Sequence, residues 1–323
     1  MKNTISIALA AYNGAEYITT QLKSLLDQSR RVDEIVISDD SPDDATLAAV
    51  TPFQSDSRVI YLKNHGIKGT AGNFENALRH CSGDYIFLCD QDDFWLSDKV
   101  EKLARILDEK SEIDAVFCNS HIVSENLEFF ADEPTLFDWR NFPDEAIARV
   151  NESGALPLFL QHITVSSHNV AFRRQWLEKL LPFPELAPFY PDTWLGLAIA
   201  AAGKWYVLNE CLTLYRLHSS NQSSPESSSL AGARRARAAR AAYRSSVLAR
   251  EIIQRFDSEL SIENRQALQK YADFQLARDN YSQNFLLRAL QITPRLFTGQ
   301  YCRCADSIST AAADLLIAPA SKK

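Results

Sequence analysis

Cysteine, methionine and long apolar runs are all scarce in this chain, and each shortage excludes a class of protein. Six cysteines among 323 residues are too few for a disulfide scaffold, and we expect free thiols in a reducing compartment. No stretch reaches the ~18 uncharged apolar residues that a membrane-spanning helix needs. Tyr12, Asn13 and Glu16 interrupt the first apolar run, which favours a buried strand over a signal peptide. A cytoplasmic protein is therefore expected.

The first 123 residues alternate between strand-like and helix-like segments. Apolar runs of strand length occupy 5–11, 34–40, 58–64, 84–90 and 115–123. Helical patterns lie between them at 15–28, 73–81 and 96–110, and a further one begins after the second strand. Ser41 or Asp43 could cap that further helix, and Ser97 could cap the helix at 96–110. This alternation predicts an α/β fold with a parallel, doubly wound sheet. Ligands bind such sheets outside the carboxyl ends of the strands.

The last third of the chain has a different composition. No proline occurs between Pro225 and Pro294, and the segment is rich in Ala, Arg, Leu and Gln, which favour helices. We expect two or three helices over 230–290, followed by shorter helical pieces. The turn-rich stretch 219–229 is interpreted as a linker. The predicted organisation is an α/β domain over 1–221 and a helical, arginine-rich region over 222–323.

The net charge of −7 is a sum of two unlike parts. Residues 1–229 hold nineteen basic and thirty-three acidic side chains, whereas residues 230–323 hold fifteen and eight. Five arginines concentrate in one acid-free stretch: Arg234, Arg235, Arg237, Arg240 and Arg244. This pattern favours contact between residues 230–250 and an anionic membrane surface or a diphosphate-linked acceptor. A solvated helix face or a contact between copies of the chain is the alternative, while the lack of base-stacking aromatics beyond Tyr243 argues against nucleic acid.

The sharpest motif is FLCDQDDFW, in which a buried strand leads directly into Asp90, Asp92 and Asp93. Three carboxylates within four residues repel one another and lose hydration energy. A divalent cation relieves that repulsion, because hard cations prefer carboxylate oxygen. The alternative is a solvated turn in which an aspartate caps a helix. The position after an apolar strand favours a metal site.

Four further motifs each allow two interpretations. Asp39 and Asp40 could accept hydrogen bonds from a nucleobase or a ribose, or could cap a helix. Tyr12 could stack on a base or belong to the core. Asp192 could act as a general base or as a cap. His218 precedes the linker, where it could be a ligand or an ordinary surface histidine.

In chain order, the motifs AYNG, SDDSPD, CDQDDFW, PDTW and YRLH resemble glycosyltransferase family 2, over residues 4 to about 221. The string DQDDFWLSDK is most similar to the rhamnosyltransferase-type subgroup that builds bacterial surface polysaccharides. The resemblance implies the GT-A fold with a mixed, doubly wound sheet. It also implies an inverting, metal-dependent transfer of a hexosyl or rhamnosyl group from a dTDP- or UDP-sugar. The implied acceptor is a surface-polysaccharide glycan of the lipid-linked type.

The resemblance also implies a role for each matching residue. Donor contacts fall on Ala10, Tyr12, Asp39, Asp40, Asn73, Asp90, Gln91 and Asp93. Asp90 and Asp92 would hold Mg²⁺ or Mn²⁺, with His218 as a further metal or diphosphate contact. Asp192 matches the position of the catalytic base.

Two positions depart from the subgroup pattern. Gly72 stands where an arginine or lysine usually faces the diphosphate, which leads us to expect Lys68 in that role. Pro191 stands where a histidine often precedes the base. The acceptor side is therefore less well defined by the resemblance than the donor side.

Two other functions, nucleotidyl transfer and nucleotide-sugar binding without catalysis, fit the motifs less well than glycosyl transfer. A nucleotidyltransferase would carry a glycine-rich, basic loop after the first strand, and AAYNGAEY has no arginine or lysine. A non-catalytic nucleotide-sugar-binding relative would not need all of Asp90, Asp92, Asp93 and Asp192. Both alternatives remain secondary to a glycosyltransferase.

Overall fold

The structure is a computed structural model that describes residues 2–162, 165–186, 190–221, 231–305 and 308–316. The strands are β1 Ile5–Ala11, β2 Glu34–Asp39, β3 Val59–Lys63, β4 Tyr85–Asp90, β5 Phe94–Trp95, β6 Ala115–Val123, β7 Val170–Arg173 and β8 Trp205–Arg216. The first helices are α1 Ile18–Leu26, α2 Ala45–Val50, α3 Thr70–Leu78, α4 Lys99–Glu109, α5 Leu136–Trp139, α6 Asp144–Ser153 and α7 Leu156–Phe159. The later ones are α8 Leu177–Leu180, α9 Pro191–Ala202, α10 Ala231–Arg255, α11 Ile262–Asp279, α12 Phe285–Phe297, α13 Gln300–Cys304 and α14 Ile308–Leu316.

One eight-stranded sheet runs in the order β3-β2-β1-β4-β7-β6-β8-β5. β1, β2, β3 and β4 pair in parallel, as the alternation of strands and helices predicts. β7 runs antiparallel to both of its neighbours, and β5 runs antiparallel to β8. The sheet is therefore mixed, which confirms the implied architecture.

The central strands are apolar along their whole length because both faces of the sheet are covered. All residues of β1 except Ala10 are buried, and so are the first five residues of β4. Their side chains pack with Leu22 and Leu25 of α1 and Leu103 of α4 in one apolar core. This core positions the carboxyl ends of β1, β2 and β4.

Several helix starts differ from the predicted ones. α3 begins at Thr70, three residues before the predicted start, because Gly69 adopts a positive φ of 91° at its N-cap. Of the predicted caps, Ser41 and Ser97 are not at the N-cap positions, whereas Asp43 Oδ1 accepts from the Ala45 N–H, the first of α2, at 3.1 Å. α2 follows Asp44 and α4 follows Asp98, and neither N-cap residue makes a side-chain capping bond. The Ser41 hydroxyl binds the Asp39 carboxylate instead.

The chain divides into two units. The first comprises Met1–Gly154, Thr164–Ile199 and Gly203–Ser219, and the second comprises Ala155–Ile163, Ala200–Ala202 and Ser220–Lys323. The predicted domain boundary at residue 221 stays a prediction, and the linker residues 222–229 lie outside the described residues. Among the helices that the structure describes, none combines the length and apolarity needed to cross a membrane.

The second unit is helical, as its composition predicts. Its core contains Ile252 and Phe256, with Leu268 and Phe274 of α11 also buried. Arg278 forms an ion pair with Asp314 at 2.7 Å, between α11 and α14. The side chains of Arg234, Arg235, Arg237 and Arg240 lie outside the described part, so the predicted arginine cluster is seen only as the backbone of α10.

Candidate active site

Strand register gathers the predicted site residues at one edge of the sheet. Ala10 on β1 lies opposite Ser38 on β2 and opposite Asp90 on β4. Ala11 lies opposite Asp39. Because parallel strands end at the same edge of the sheet, Asp39 and Asp90 lie at that edge on the two strands that flank β1.

Tyr12 presents an exposed ring just beyond β1, with 54% of its surface accessible. Its backbone is held by Gln91, whose side chain accepts from the Tyr12 N–H and donates to the Tyr12 carbonyl, both at 2.8 Å. A Cβ on Gly14 would fall 2.0 Å from Gln91 Oε1, so a larger residue there would displace the Gln91 side chain. Gln91, predicted as a donor contact, thus also orders the loop that carries the candidate stacking ring.

The Asp39 carboxylate is fully buried and already well supplied with donors. One oxygen accepts from the Ser41 hydroxyl at 2.5 Å, and the other accepts from the Tyr61 hydroxyl at 2.6 Å. Lys63 Nζ lies 3.3 Å from the second oxygen. A nucleobase N–H at this site would share these oxygens with protein donors.

Asp40 and Lys68 form an ion pair of 2.8 Å between Nζ and Oδ1. The other Asp40 oxygen accepts from the Gly69 N–H at 2.7 Å, which holds the carboxylate against the loop before α3. Lys68 also donates to the Asn64 carbonyl at 2.5 Å, while much of its side chain stays exposed. To contact a diphosphate as predicted, the Lys68 ammonium group would therefore act from its position beside Asp40.

Asn73 is buried, and both ends of its amide are used inside the protein. Its oxygen accepts from the Ser38 hydroxyl at 2.6 Å, and its nitrogen donates to the Ala11 carbonyl at 2.8 Å. The glycine before it is explained by space, because a Cβ on Gly72 would lie 2.0 Å from the Ile67 carbonyl oxygen. A basic side chain at that position would clash in this loop conformation.

The three aspartates after β4 have three different partners. The Ser167 hydroxyl donates to Asp90 Oδ2 at 2.5 Å. His218 Nε2 lies 2.9 Å from Asp92 Oδ2, so the structure brings these two predicted metal ligands together. Asp93 is fully buried, and its Oδ1 accepts from the Arg216 N–H at 3.1 Å.

Burial and mutual repulsion make this cluster costly to ionise. Burial, and then the charge of Asp92, raise the pKa of Asp90 to about 7. The same causes raise the pKa of Asp93 well above its ordinary value. Burial lowers the pKa of nearby Lys99 to about 8, and its Nζ donates to the His168 carbonyl and the Thr213 hydroxyl. The site thus holds more carboxylate charge than its own cation offsets.

A divalent cation fits this arrangement. Among the described residues, candidate ligand atoms of Asp90, Asp93 and His168 lie within 4.8 Å of one another. His168 Nδ1 lies 3.9 Å from Asp90 Oδ2 and 3.7 Å from Asp93 Oδ2, and within the same part of the chain the buried Asp93 Oδ2 has no hydrogen-bond partner. Carboxylate oxygens suit Mg²⁺ and Mn²⁺, and an imidazole nitrogen is acceptable to Mn²⁺. Sequence reasoning missed His168, because a lone histidine in a polar stretch carries no signal.

Asp192 lies in the first turn of α9, after Pro191 at the first helical position, where a fixed φ suits proline. Its Oδ1 accepts from the Thr193 N–H at 2.7 Å, and the nearby Ser167 N–H also favours the ionised carboxylate. Burial raises the pKa of Asp192 above its ordinary value. Ser167 therefore joins the candidate base to Asp90, a link that no sequence pattern indicates.

The end of β8 closes the site. Arg216 Nε donates to the Asp92 carbonyl at 2.7 Å, and its guanidinium lies 4.8 Å from the centre of the Tyr17 ring. The His218 ring packs against the same tyrosine, with 4.7 Å between ring centres. Arg216 stands within the YRLH motif, yet only the structure shows that it orders the aspartate turn.

A mixed sheet with carboxylates gathered at the ends of β2 and β4 defines the nucleotide-sugar transferase class of fold. The comparison with known families agrees with this geometry. The family described as glycosyl transferase family 2 matches residues 6–181, and the chain belongs to it. The predicted resemblance is thereby confirmed, while the rhamnosyltransferase subgroup stays a prediction.

Two curated relatives with at least 34% identity match between 30% and 38% of this chain. The Escherichia coli protein WfgD, a UDP-Glc:α-D-GlcNAc-diphosphoundecaprenol β-1,3-glucosyltransferase, is 34% identical over 123 residues, 38% of this chain and 47% of its own. WfaP of Escherichia coli, named for the same activity, is 40% identical over 96 residues, 30% of this chain and 38% of its own. The chain thus spans less than half the length of these relatives.

Solved structures support the fold over most of the chain. The mannosyltransferase PcManGT from Pyrobaculum calidifontis, in complex with GDP-Man and Mn²⁺, has a TM-score of 0.54 at 18% identity, covering 98% of this chain and 86% of its own. TarS 1–349 of S. aureus, in complex with UDP-GlcNAc, has a TM-score of 0.55 at 18% identity, covering 97% and 88%. At this identity the likeness shows the shared fold.

Proposed function

We propose that this protein is an inverting, metal-dependent glycosyltransferase that moves a sugar from a nucleotide-diphosphate donor to a lipid-linked glycan. One observation carries the proposal: Asp90, which accepts from the Ser167 hydroxyl at 2.5 Å, lies near enough to Asp192 for the charge of Asp192 to help raise the pKa of Asp90, so a metal-type and a base-type carboxylate lie at one edge of the sheet. Two relatives are named for glucosyl transfer to a diphosphoundecaprenol-linked sugar, which supports the acceptor class. The same names favour a UDP-sugar donor.

Asp192 is the proposed general base. The N–H groups of Thr193 and Ser167 hold its carboxylate in one orientation, and burial makes it a stronger proton acceptor than an exposed aspartate. The acceptor hydroxyl gives its proton to Asp192 while its oxygen attacks the anomeric carbon. The bond to the diphosphate breaks on the opposite face, and the diphosphate leaves with the bonding electrons, which inverts the configuration.

Asp90 and Asp92 would hold the cation, as the family resemblance implies, and the geometry adds Asp93 and His168 as candidate ligands. When bound, Mg²⁺ or Mn²⁺ offsets the negative charge that grows on the leaving diphosphate. His218 keeps Asp92 oriented through their 2.9 Å contact. A fixed orientation matters because a misplaced Asp92 carboxylate would position the cation and the donor diphosphate less well.

The donor nucleoside is proposed to lie across the ends of β1 and β2. The exposed Tyr12 ring offers a stacking surface, and Asp39 and Asp40 offer acceptors for base or ribose groups. Ala10 is half-buried beside Asp90, so it leaves space for the donor where a larger side chain would not. Peripheral association with the inner face of a membrane completes the proposal, since a lipid-linked acceptor is found there.

The direct test is donor turnover. The purified protein is incubated with UDP-glucose, UDP-GlcNAc, dTDP-rhamnose and GDP-mannose in Mn²⁺, and release of nucleoside diphosphate is measured for each. We expect one donor to be consumed, slowly with water and faster with a diphosphate-linked acceptor. Pyrophosphate release from a nucleoside triphosphate would favour the nucleotidyltransferase instead. Donor binding without turnover under either condition would indicate a non-catalytic relative.

A further inference from the structure

Helix α12 of the second unit carries an apolar face that is exposed to solvent. Leu286 and Leu290 are each 71% exposed, and Phe297 is 89% exposed. Spacings of four and seven residues place the three on one side of the helix. With Leu287, which is 55% exposed, they form what we name the α12 apolar face.

The opposite side of α12 is anchored within its own unit. Ile292 is buried, and the buried Arg288 donates to the carbonyls of Leu315 and Ser282 at 2.8 Å. The helix is therefore held in one rotation about its axis. The outward direction of the apolar face follows from that anchoring.

Helices α12 and α13 carry charges of one sign. Their charged residues are Arg288, Arg295 and Arg303, with no aspartate, glutamate or lysine. Arg303 is exposed and donates to the Thr298 carbonyl at 2.5 Å, which places it beside the end of α12 that carries Phe297. Arg295 lies on the same side of α12 as Arg288, and its guanidinium lies 5.6 Å from the centre of the buried Tyr281 ring. Arg303 is thus the cation beside the C-terminal end of the apolar face.

We infer that α12 lies in the plane of an anionic lipid bilayer, with its apolar face among the acyl chains and Arg303 at the lipid headgroups. A helix of 13 residues is too short to span a bilayer, but this combination of an apolar face and an adjacent exposed cation suits the interface. The inference rests on the peripheral membrane association in the proposed function and does not depend on the transfer reaction. It also moves the expected contact beyond residues 230–250.

A second copy of the chain is the less favourable occupant. A two-fold interface would bury Arg303 against a second copy of the same patch, in which α12 and α13 offer it no acidic partner. An anionic headgroup layer offers Arg303 phosphate groups instead. The charge beside the face therefore favours lipid.

The test uses the full chain and vesicles of phosphatidylcholine with about one third phosphatidylglycerol. Sedimentation measures partitioning of the wild type and of the triple variant Leu286→Ser, Leu290→Ser, Phe297→Ser. We expect the triple variant to bind at least ~10-fold more weakly, because the buried apolar area is lost. Ile262→Ser is the matched control, since Ile262 is 77% exposed on α11 outside the face, and it should bind like the wild type.

A second variant examines the charge. Arg303→Gln should lower binding to the anionic vesicles by roughly fivefold and leave binding to pure phosphatidylcholine unchanged. Wild-type binding that survives the triple substitution, or no wild-type binding to anionic vesicles, would overturn the inference. A triple variant that becomes monomeric by sedimentation velocity, with unaltered vesicle binding, would assign the face to self-association and equally overturn it.

Donor turnover by the same variants separates the two proposals. The triple variant should release nucleoside diphosphate from a soluble donor at the wild-type rate, because the substitutions lie outside the first unit. Vesicle binding by a protein with no turnover would retain the membrane inference and remove the transferase proposal.

Discussion

Charge is used in opposite ways in the two units of this protein. At the end of β4, three aspartates lie close together in a largely buried turn, and burial and then the charge of Asp92 raise the pKa of Asp90 to about 7. In the second unit, arginines are satisfied by acceptors, as in the 2.7 Å contact of Arg278 with Asp314, and the exposed Arg303 lies beside apolar surface. An uncompensated buried cluster indicates chemistry, whereas an exposed cationic border indicates a surface for binding.

The largest expected effect tests whether the first unit is catalytic at all. Asp192→Asn should lower transfer by at least ~10²-fold, because an amide cannot accept the acceptor's proton. The measurement is the rate of product formation at saturating donor. Glu109→Gln removes an exposed carboxylate from the end of α4 and is the matched control. Near-normal transfer by Asp192→Asn would remove this residue from the mechanism.

Asp92→Ala sharpens the same contrast at the metal side. We expect transfer to fall by at least ~10²-fold, because the cation loses a ligand and His218 loses its 2.9 Å partner. Titration of Mn²⁺ against activity should show a weakened half-saturation for this variant. Unchanged metal dependence would mean that Asp90, Asp93 and His168 suffice without Asp92.

A pH effect should distinguish the buried acid cluster from ordinary surface carboxylates. A metal must displace the proton of Asp90, so with a pKa of about 7 the affinity for Mn²⁺ should fall about tenfold from pH 8 to pH 6. Without metal, the free energy of unfolding should change with pH in the opposite direction and fall as the pH rises. A carboxyl with a raised folded pKa stabilises the fold while protonated, so its contribution is lost between about pH 4 and about pH 7.

Calorimetric Mn²⁺ titrations at pH 8 and pH 6 measure the change in metal affinity. Melting curves in chelator between about pH 4 and about pH 7 measure the change in stability. Asp90→Asn is the control variant, because an amide does not titrate and should flatten the melting profile. A metal affinity independent of pH would place the cation on other ligands.

The smallest expected effect concerns the loop before α3. Lys68→Ala should weaken donor binding several-fold, because it removes a partly exposed cation beside Asp40. Fluorescence or calorimetric titration with a UDP-sugar measures it, with Lys23→Ala on α1 as a control for loss of one positive charge. Equal donor affinity for the variant and the wild type would rule out the diphosphate contact.

The sheet and its functional edge were predictable because they depend on short-range patterns. β1 and β6 match the predicted bounds, since an apolar run bounded by polar residues sets the limits of a buried strand. Polar residues directly after strands marked the edge where Tyr12, Asp39 and Asp90 meet. The order of those motifs was sufficient to recognise the family.

The contacts that hold the site were not predictable. Ser167 and His168 come from an irregular segment, and nothing in their neighbourhood indicates that they face β4. Gln91 and Asn73 have polar side chains that suit a ligand, but hydrogen bonds to the Tyr12 and Ala11 backbone tie them into the protein. Such contacts join residues that are dozens of positions apart, and local pattern carries no information about them.

The amino-acid sequence alone determined the α/β class, the acidic strand ends and the helical, cationic last third, because each follows from periodicity and composition. Only the tertiary structure decided which carboxylates share a partner, why Gly72 replaces a basic residue, and which side of α12 meets solvent. The apolar pattern of α12 fits a buried helix equally well, since periodicity shows that a helix has an apolar side but not what covers it. Burial of Arg288 and Ile292 on the other side settles that question for α12.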